Sequence, residues 1–210
     1  MQKLVKVITR KGVLRVDTGL QINGPDVGIG PGGLDSEVTR NPLTNEVYIP
    51  GSSVKGKMRA ELEHVKGKFG EKGKPCGCGR KDCIVCTMFG AHMNTSSQAG
   101  IPRLKVYDLT PTEEYKTKRL TEVKTATSIN RETGTALNGS LRQVERVCAG
   151  SEFNYEMVLQ IFEGDDENKL KETLDACMKL VEVTGLGSGT SRGNGKVTFI
   201  SKEDTEIVFN

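Results

Sequence analysis

The sequence has no tryptophan, only two histidines and 5% aromatic residues, and no more than 35% of it is apolar. A chain this lean in large apolar side chains has no surplus for several packed cores. Its 210 residues suit one domain that carries loops or insertions on its surface. No apolar run approaches the roughly 20 residues that cross a bilayer, so no membrane partner is expected. Met1-Gln2-Lys3 leads directly into a strand-like pattern without the apolar segment of a signal peptide, and the expected location is cytoplasmic. A reducing compartment argues against a disulfide framework for the six cysteines. Of the two histidines, His64 falls on a helical stretch and His92 beside a cysteine cluster. Neither sits in an evident catalytic loop, which ranks a free-standing endonuclease with a histidine base low.

The formal net charge is only +3, yet the charge is uneven. Between Lys55 and Lys81 there are nine Lys or Arg against three acidic residues, Glu61, Glu63 and Glu71. A local basic surface attracts phosphates even on a nearly neutral chain. A solubilising loop has the same composition, and composition leaves both readings open.

Residues 3 to 17 read as strand, with Val5 and Val7 on one face and Leu4 and Ile8 on the other, and Gly12 marking a turn or bulge between two segments. Residues 19 to 46 are rich in Gly, Pro, Asn and Asp and read as one long shaped loop. Pro50-Gly51-Ser52-Ser53 opens a helix that Ser52 or Ser53 can cap, with Val54, Met58, Leu62 and Val65 at helical spacing. Arg103 to Leu109 reads as a short strand, and residues 110 to 150 are too polar for core and should project. Phe153, Tyr155, Met157, Leu159 and Ile161 alternate strictly, the clearest strand in the chain. Asp165 to Val183 is helical by its spacing, and Lys196 to Ile200 is a last strand. Helices alternating with strands in this order imply an α+β fold with a ferredoxin-like (RRM-like) core and insertions.

Three stretches carry chemistry. Cys76, Cys78, Cys83 and Cys86 place four thiols within eleven residues, where Gly77 and Gly79 let the chain wrap one ion. Four soft ligands at this spacing point to a structural Zn2+ site without an open position, with His64 or His92 close enough to replace a ligand. Gly185, Gly187, Gly189, Gly193 and Gly195 crowd five glycines into eleven residues between a helix and a strand. Glycine permits positive φ, so backbone N–H groups can converge on an anion, and Arg192 adds a fork-shaped donor. The loop is neither a Walker A motif nor a Rossmann turn. Pro50 to Arg59 starts a helix with Ser52, Ser53, Lys55, Gly56, Lys57 and Arg59, a phosphate-binding pattern that alone equals an ordinary capped helix.

The combination of Thr18-Gly19-Leu20, Gly33-Leu34-Asp35, Tyr48-Ile-Pro-Gly-Ser-Ser-Val-Lys-Gly-Lys57, the cysteine cluster followed by Phe89-Gly90, and the glycine loop resembles the RAMP superfamily across nearly the whole chain. It is most similar to the repeating backbone subunit of type III-A CRISPR effector complexes, the Csm complexes. The resemblance implies a single RRM-like domain over residues 1–210 with a zinc-binding insertion at 66–90 and a projecting β-hairpin thumb at 112–150. It implies copies of the chain stacked as a helical filament along CRISPR RNA. The other partners are target RNA, the large polymerase/nuclease-like subunit and the small subunit. Thr127 to Arg131 and Leu141 to Arg146 resemble the thumb segments, which makes Arg131 and Arg142 RNA-binding candidates beside Gly187, Gly189 and Arg192. It further implies that target RNA is cut opposite each subunit with Mg2+ or another divalent cation, and that Asp35 is the essential residue. From the residues alone Asp35 is an ordinary turn aspartate. Gln21 departs from the pattern, since many members have His after Thr-Gly-Leu. A non-cleaving scaffold of the same superfamily is the alternative.

Overall fold

The computed structural model describes residues 2–23 and 34–209. Along the chain these form β1 (Leu4–Val16), α1 (Gly51–Lys66), α2 (Ile84–Phe89), β2 (Leu104–Val106), β3 (Thr110–Pro111), β4 (Thr121–Ala126), β5 (Arg142–Val147), β6 (Glu152–Phe162), α3 (Glu167–Thr184), β7 (Val197–Phe199) and β8 (Glu203–Val208). The result is a mixed α/β molecule with two antiparallel sheets. The larger has the order β2-β6-β1-β7, with β3 added along β6 and β8 along β1, and the smaller is the β4-β5 hairpin.

The alternation read in β6 is the floor of the core. Phe153, Tyr155, Met157, Leu159 and Ile161 are all buried, and they form one cluster with Ile8, Leu14 and Val16 of β1. Val54, Met58 and Leu62 of α1 and Leu170, Leu174, Cys177 and Val181 of α3 complete it. Truncating a fully buried member such as Met157 to alanine would cost roughly 2–5 kcal/mol, because the rigid surroundings leave a cavity.

Gly12 does not divide two strands. β1 runs through it unbroken, and the interruption lies in the neighbouring segment, which pairs with β1 as β7 opposite Leu14–Val16 and again as β8 opposite Lys6–Lys11. A Cβ on Gly12 would stand 2.0 Å from the Ser201 carbonyl oxygen, so glycine serves close approach there. β8 has no apolar alternation and is held by charge. Arg10, buried on β1, donates to Asp204 at 2.7 and 2.8 Å and to Asp175 of α3 at 2.5 Å. Lys6 and Lys171 bind Glu206 beside them.

α1 starts two or three residues earlier than a cap at Ser52 or Ser53 implies, and neither serine side chain caps it. Asp108, in the link from β2 to β3, accepts from the Gly51 N–H at 2.8 Å instead. A side chain at Gly51 would strike the Val106 and Tyr107 carbonyls, at 2.4 and 2.5 Å. The described parts of the stretch 19–46 are not free loop: Leu20 bridges Val147, Asn23 bridges Val38 and Arg40 bridges Val47. Residues 24–33, including Gly33 of the Gly-Leu-Asp motif, lie outside the described residues.

Candidate functional site

The four cysteines converge. Sγ–Sγ separations are 3.7 Å for Cys78–Cys86, 3.8 Å for Cys76–Cys86 and 4.0 Å for Cys76–Cys83, and all four atoms lie within 4.8 Å of one another. A tetrahedral ion with metal–sulfur bonds of ~2.3 Å has sulfur–sulfur edges of about 3.8 Å, so the set fits one metal ion. Glu63 of α1 organises the loop: buried, it accepts from the Cys76 N–H at 2.8 Å and from Arg59 Nε at 2.9 Å. Arg59 also donates to the Cys76 carbonyl at 2.8 Å. Burial pushes the Cys76 and Cys86 thiols up. At Cys78 burial also acts upward, but the Arg80 N–H and the neighbouring thiols outweigh it and bring the group down to about 7. Among the described residues neither histidine joins the four-ligand group: His64 meets the edge of the Phe69 ring at 5.1 Å, and His92 gives only its backbone N–H, to the Cys76 carbonyl.

The start of α1 lies against the link from β2 to β3, where Gly51 meets Asp108 and the Val106 and Tyr107 carbonyls. Ser52, Ser53 and Gly56 are exposed there and Lys55 is half-buried. Burial first, then Arg59 and Lys105 nearby, hold the Lys55 ammonium below its usual range, so an anion beside it would relieve a cluster of like charge. Lys57 pairs with Glu61 at 2.6 Å, and Arg59 is engaged at the cysteine loop as described.

The glycine loop lies where β1 finishes, with the Asp17 and Thr18 N–H groups donating to the Lys196 carbonyl beside it. All five glycines have positive φ, between 73° and 84°. Most of its amides face inward, with Leu186 donating to Gly195, Ser188 to Gln21, Asn194 to Gly189 and Gly195 to Gly19. Among the described residues the amides of Gly187, Gly189, Thr190 and Ser191 have no backbone acceptor, which narrows the set that can meet an anion. A side chain on Gly187 would strike the Gln21 carbonyl at 2.3 Å, so this glycine also serves close packing.

Opposite the loop stands the hairpin. Lys124 pairs with Val144, Ala126 with Arg142 and Glu122 with Arg146, which puts the even-numbered residues of β4 and β5 on one face. That face and the loop enclose a cleft of about 200 Å³ lined by Gln21, Lys124, Arg142, Arg146, Arg192 and Asn194. Four cations there exceed the one acidic partner in reach, Glu122, which binds Arg146 at 2.7 Å. The expected Arg142 and Arg192 thus lie together, while Arg131 sits at the hairpin's far end. Lys124, Arg146 and Asn194 escaped the sequence reading. The signal for the first two was weak: Arg142 and Arg146 stand four apart on one polar strand, and Lys124 falls on the same face only once the hairpin register is known.

Asp35 comes to the hairpin's other edge. Its N–H donates to the Gln143 carbonyl at 3.0 Å, and its Oδ2 accepts from the Gln143 N–H at 2.6 Å. Glu145, buried, secures the same segment by accepting from the Val38 N–H at 3.0 Å and from Arg40 at 2.5 Å; burial pushes its carboxyl up, but the Thr121 hydroxyl, the Val38 N–H and Arg40 together outweigh it and hold it low. An exposed carboxylate is thereby fixed beside the first residues of β5, the strand whose Arg142, Val144 and Arg146 line the cationic cleft.

The RAMP superfamily model matches residues 11–198. The chain belongs to the RAMP superfamily. This RAMP chain is 37% identical over 195 residues to the CRISPR system Cms endoribonuclease Csm3 of Methanocaldococcus jannaschii, covering 90% of this chain and 77% of that protein. It is 34% identical over 203 residues to the protein of the same name from Streptococcus thermophilus, covering 94% and 89%. Among solved structures, a chain of the Csm3-Csm4 subcomplex of a type III-A CRISPR-Cas interference complex superposes with a TM-score of 0.57 at 24% identity, over 96% of this RAMP chain and 79% of that one. A chain of a type III-B Cmr-beta complex bound to cognate target RNA gives 0.63 at 18% identity, over 95% and 61%. At these identities the structural likenesses speak for the fold.

Proposed function

We propose that this chain is a CRISPR RNA-binding backbone subunit of a type III-A complex and that it cleaves guide-matched target RNA. The observation that carries the proposal is the cationic cleft between the hairpin and the glycine loop, with Asp35 fastened to the adjoining strand edge. Relatives at 32–37% identity that bear the name endoribonuclease support it. The β7-β1-β6-β2 order with α1 and α3 supports a ferredoxin-like core, and the separate β4-β5 hairpin supports a thumb. The partners are CRISPR RNA, target RNA, further copies of the chain and other Csm subunits, in the cytoplasm.

RNA carries its own nucleophile. The 2′-hydroxyl attacks the adjacent phosphorus, the 5′-oxygen leaves, and the products are a 2′,3′-cyclic phosphate and a 5′-hydroxyl. The chain's part is to hold the backbone bent so that attack and departure are in line, which is positioning. Lys124, Arg142, Arg146 and Arg192 fix phosphates, and base pairing with the guide reads the sequence. Asp35 has one carboxylate oxygen bound by the Gln143 N–H, which leaves the other to face the RNA. A divalent cation such as Mg2+ would be held by Asp35 together with RNA phosphates, the usual mixed coordination of that ion, and would neutralise charge on the leaving oxygen. The cysteine set would hold a structural Zn2+, joining the loop that follows α1 to α2.

The test is cleavage of a matched target RNA by the assembled complex. Asp35→Ala should lower the rate by a factor on the order of 100 or more while target affinity stays unchanged. Unchanged cutting by this variant would remove the assignment and leave the non-cleaving scaffold.

A further inference from the structure

Asn194 is polar, buried to 8% exposure, and has no part in the anion-binding pattern of the glycine loop. Its Oδ1 accepts from Arg146 Nη1 at 3.1 Å and lies 3.5 Å from Lys124 Nζ. Its own N–H closes the loop onto the Gly189 carbonyl at 3.2 Å. On the hairpin side Arg146 is pinned a second time by Glu122, and it lies over Gly19, where a Cβ would stand 2.4 Å from its Nε. Among the described residues Asn194 supplies the side-chain hydrogen bonds that run from the glycine loop to β4 and β5. An amide oxygen suits this place. It orients two cations by hydrogen bonding without cancelling their charge, whereas a carboxylate would neutralise them and an apolar group would leave them unsteadied.

We propose that Asn194 is a positioning residue for RNA: it clamps the hairpin base to the glycine loop and orders Lys124 and Arg146 so that both reach backbone phosphates along one strand. This rests on the cleft being the RNA site, and it adds that the cleft's geometry is set by one neutral side chain from the loop. Cations held in place lose little freedom on binding, so pre-ordering raises affinity without a new contact.

The test measures guide-RNA affinity of the full chain at several salt concentrations. Asn194→Ala should weaken binding about 5- to 10-fold and reduce the salt slope by roughly one to two, as one or two phosphate contacts become intermittent. Asn194→Asp keeps both hydrogen bonds and the fold but should bind RNA at least as poorly as the alanine variant, because it neutralises the pair. In a Lys124→Ala/Arg146→Ala background, Asn194→Ala should add nothing further. Wild-type affinity and slope in Asn194→Ala would overturn the proposal, as would a full additive loss in the double-variant background. An affinity loss with an unchanged slope that Asn194→Asp restores would also overturn it, by assigning Asn194 a packing role. Arg192→Ala separates this outcome from failure of the underlying reading. If Arg192→Ala binds RNA normally, the cleft is not the site; if it binds weakly while Asn194→Ala is normal, only the clamp is wrong.

Discussion

The cysteine cluster draws its four thiols from eleven consecutive residues, whereas the cleft draws its four cations from positions between 124 and 192, and Asp35 joins them by pairing with Gln143, 108 residues away. The cluster is largely buried and closed, with Glu63 and Arg59 holding its backbone. The cleft is open, polar and short of counter-charge. The difference separates two jobs. A closed tetrathiolate ties elements together and has no position left for a substrate. An open cationic cleft gains its favourable energy only when phosphates fill it, and on its own it adds little to folding.

If the two regions are independent in this way, damage to one should leave the other's function readable. The largest effect is expected at the cluster. Cys86→Ser removes a buried thiol that touches both Cys76 and Cys78, and should lower the melting temperature by roughly 10 °C, several kcal/mol for a chain of this size. Metal analysis should give about one zinc per chain in the wild type and much less in the variant. RNA affinity measured well below the melting point should survive, and its loss would break the separation.

The ion pairs that hold β8 belong to neither region and provide a control. Arg10 holds the Asp204 carboxyl below its ordinary value of 3.8. A depressed carboxyl contributes stability that is present above that value and disappears as pH falls through the folded one. The wild type should therefore lose stability below about pH 4, and Asp204→Asn should flatten that fall. At neutral pH the same variant should cost about 1–2 kcal/mol, discounted from a fully buried pair because Asp204 is partly exposed. Thermal melts at pH 7 and across pH 5 to 3 check both, with RNA binding at pH 7 unchanged.

Within the cleft, Arg192→Ala and Arg142→Ala should each weaken guide-RNA binding about 3- to 10-fold and lower the salt slope by roughly one, with melting temperatures unmoved. A large loss of stability in either would mean that the cleft is part of the structural frame after all. The smallest change is a gain. Gln21→His places a titratable ring in the cleft, and affinity should rise about twofold as pH falls from 8 to 6 and the imidazole becomes charged. A flat pH response would show that position 21 does not face RNA.

Much of this was legible in the residues. Period-2 and helical spacing located β1, β6, α1 and α3 to within two residues, because each has one face in the common core. α2 was not legible, since six residues inside a cysteine loop are too short for a period to show. β8 was missed for a different reason: it has no buried residue and is held by Arg10, Lys6 and Lys171, so it has no apolar pattern to read. The serines at the start of α1 advertised a cap that Asp108 supplies from the neighbouring link.

The thiol spacing, the glycine run and the alternation of β6 were determined by the sequence itself, since metal ligation, positive φ and one-sided burial all act between near neighbours. Which cations share a cleft, how Asn194 bridges loop to hairpin and where Asp35 stands were decided only by the tertiary structure. Those placements depend on the register of β4 with β5, on the pairing of residues 35–36 along β5, and on a helix-to-strand loop folding back over Gly19 and Gln21. Hydrogen bonds across such separations leave no periodic trace in the chain, because each partner alone is an ordinary polar residue in a polar segment.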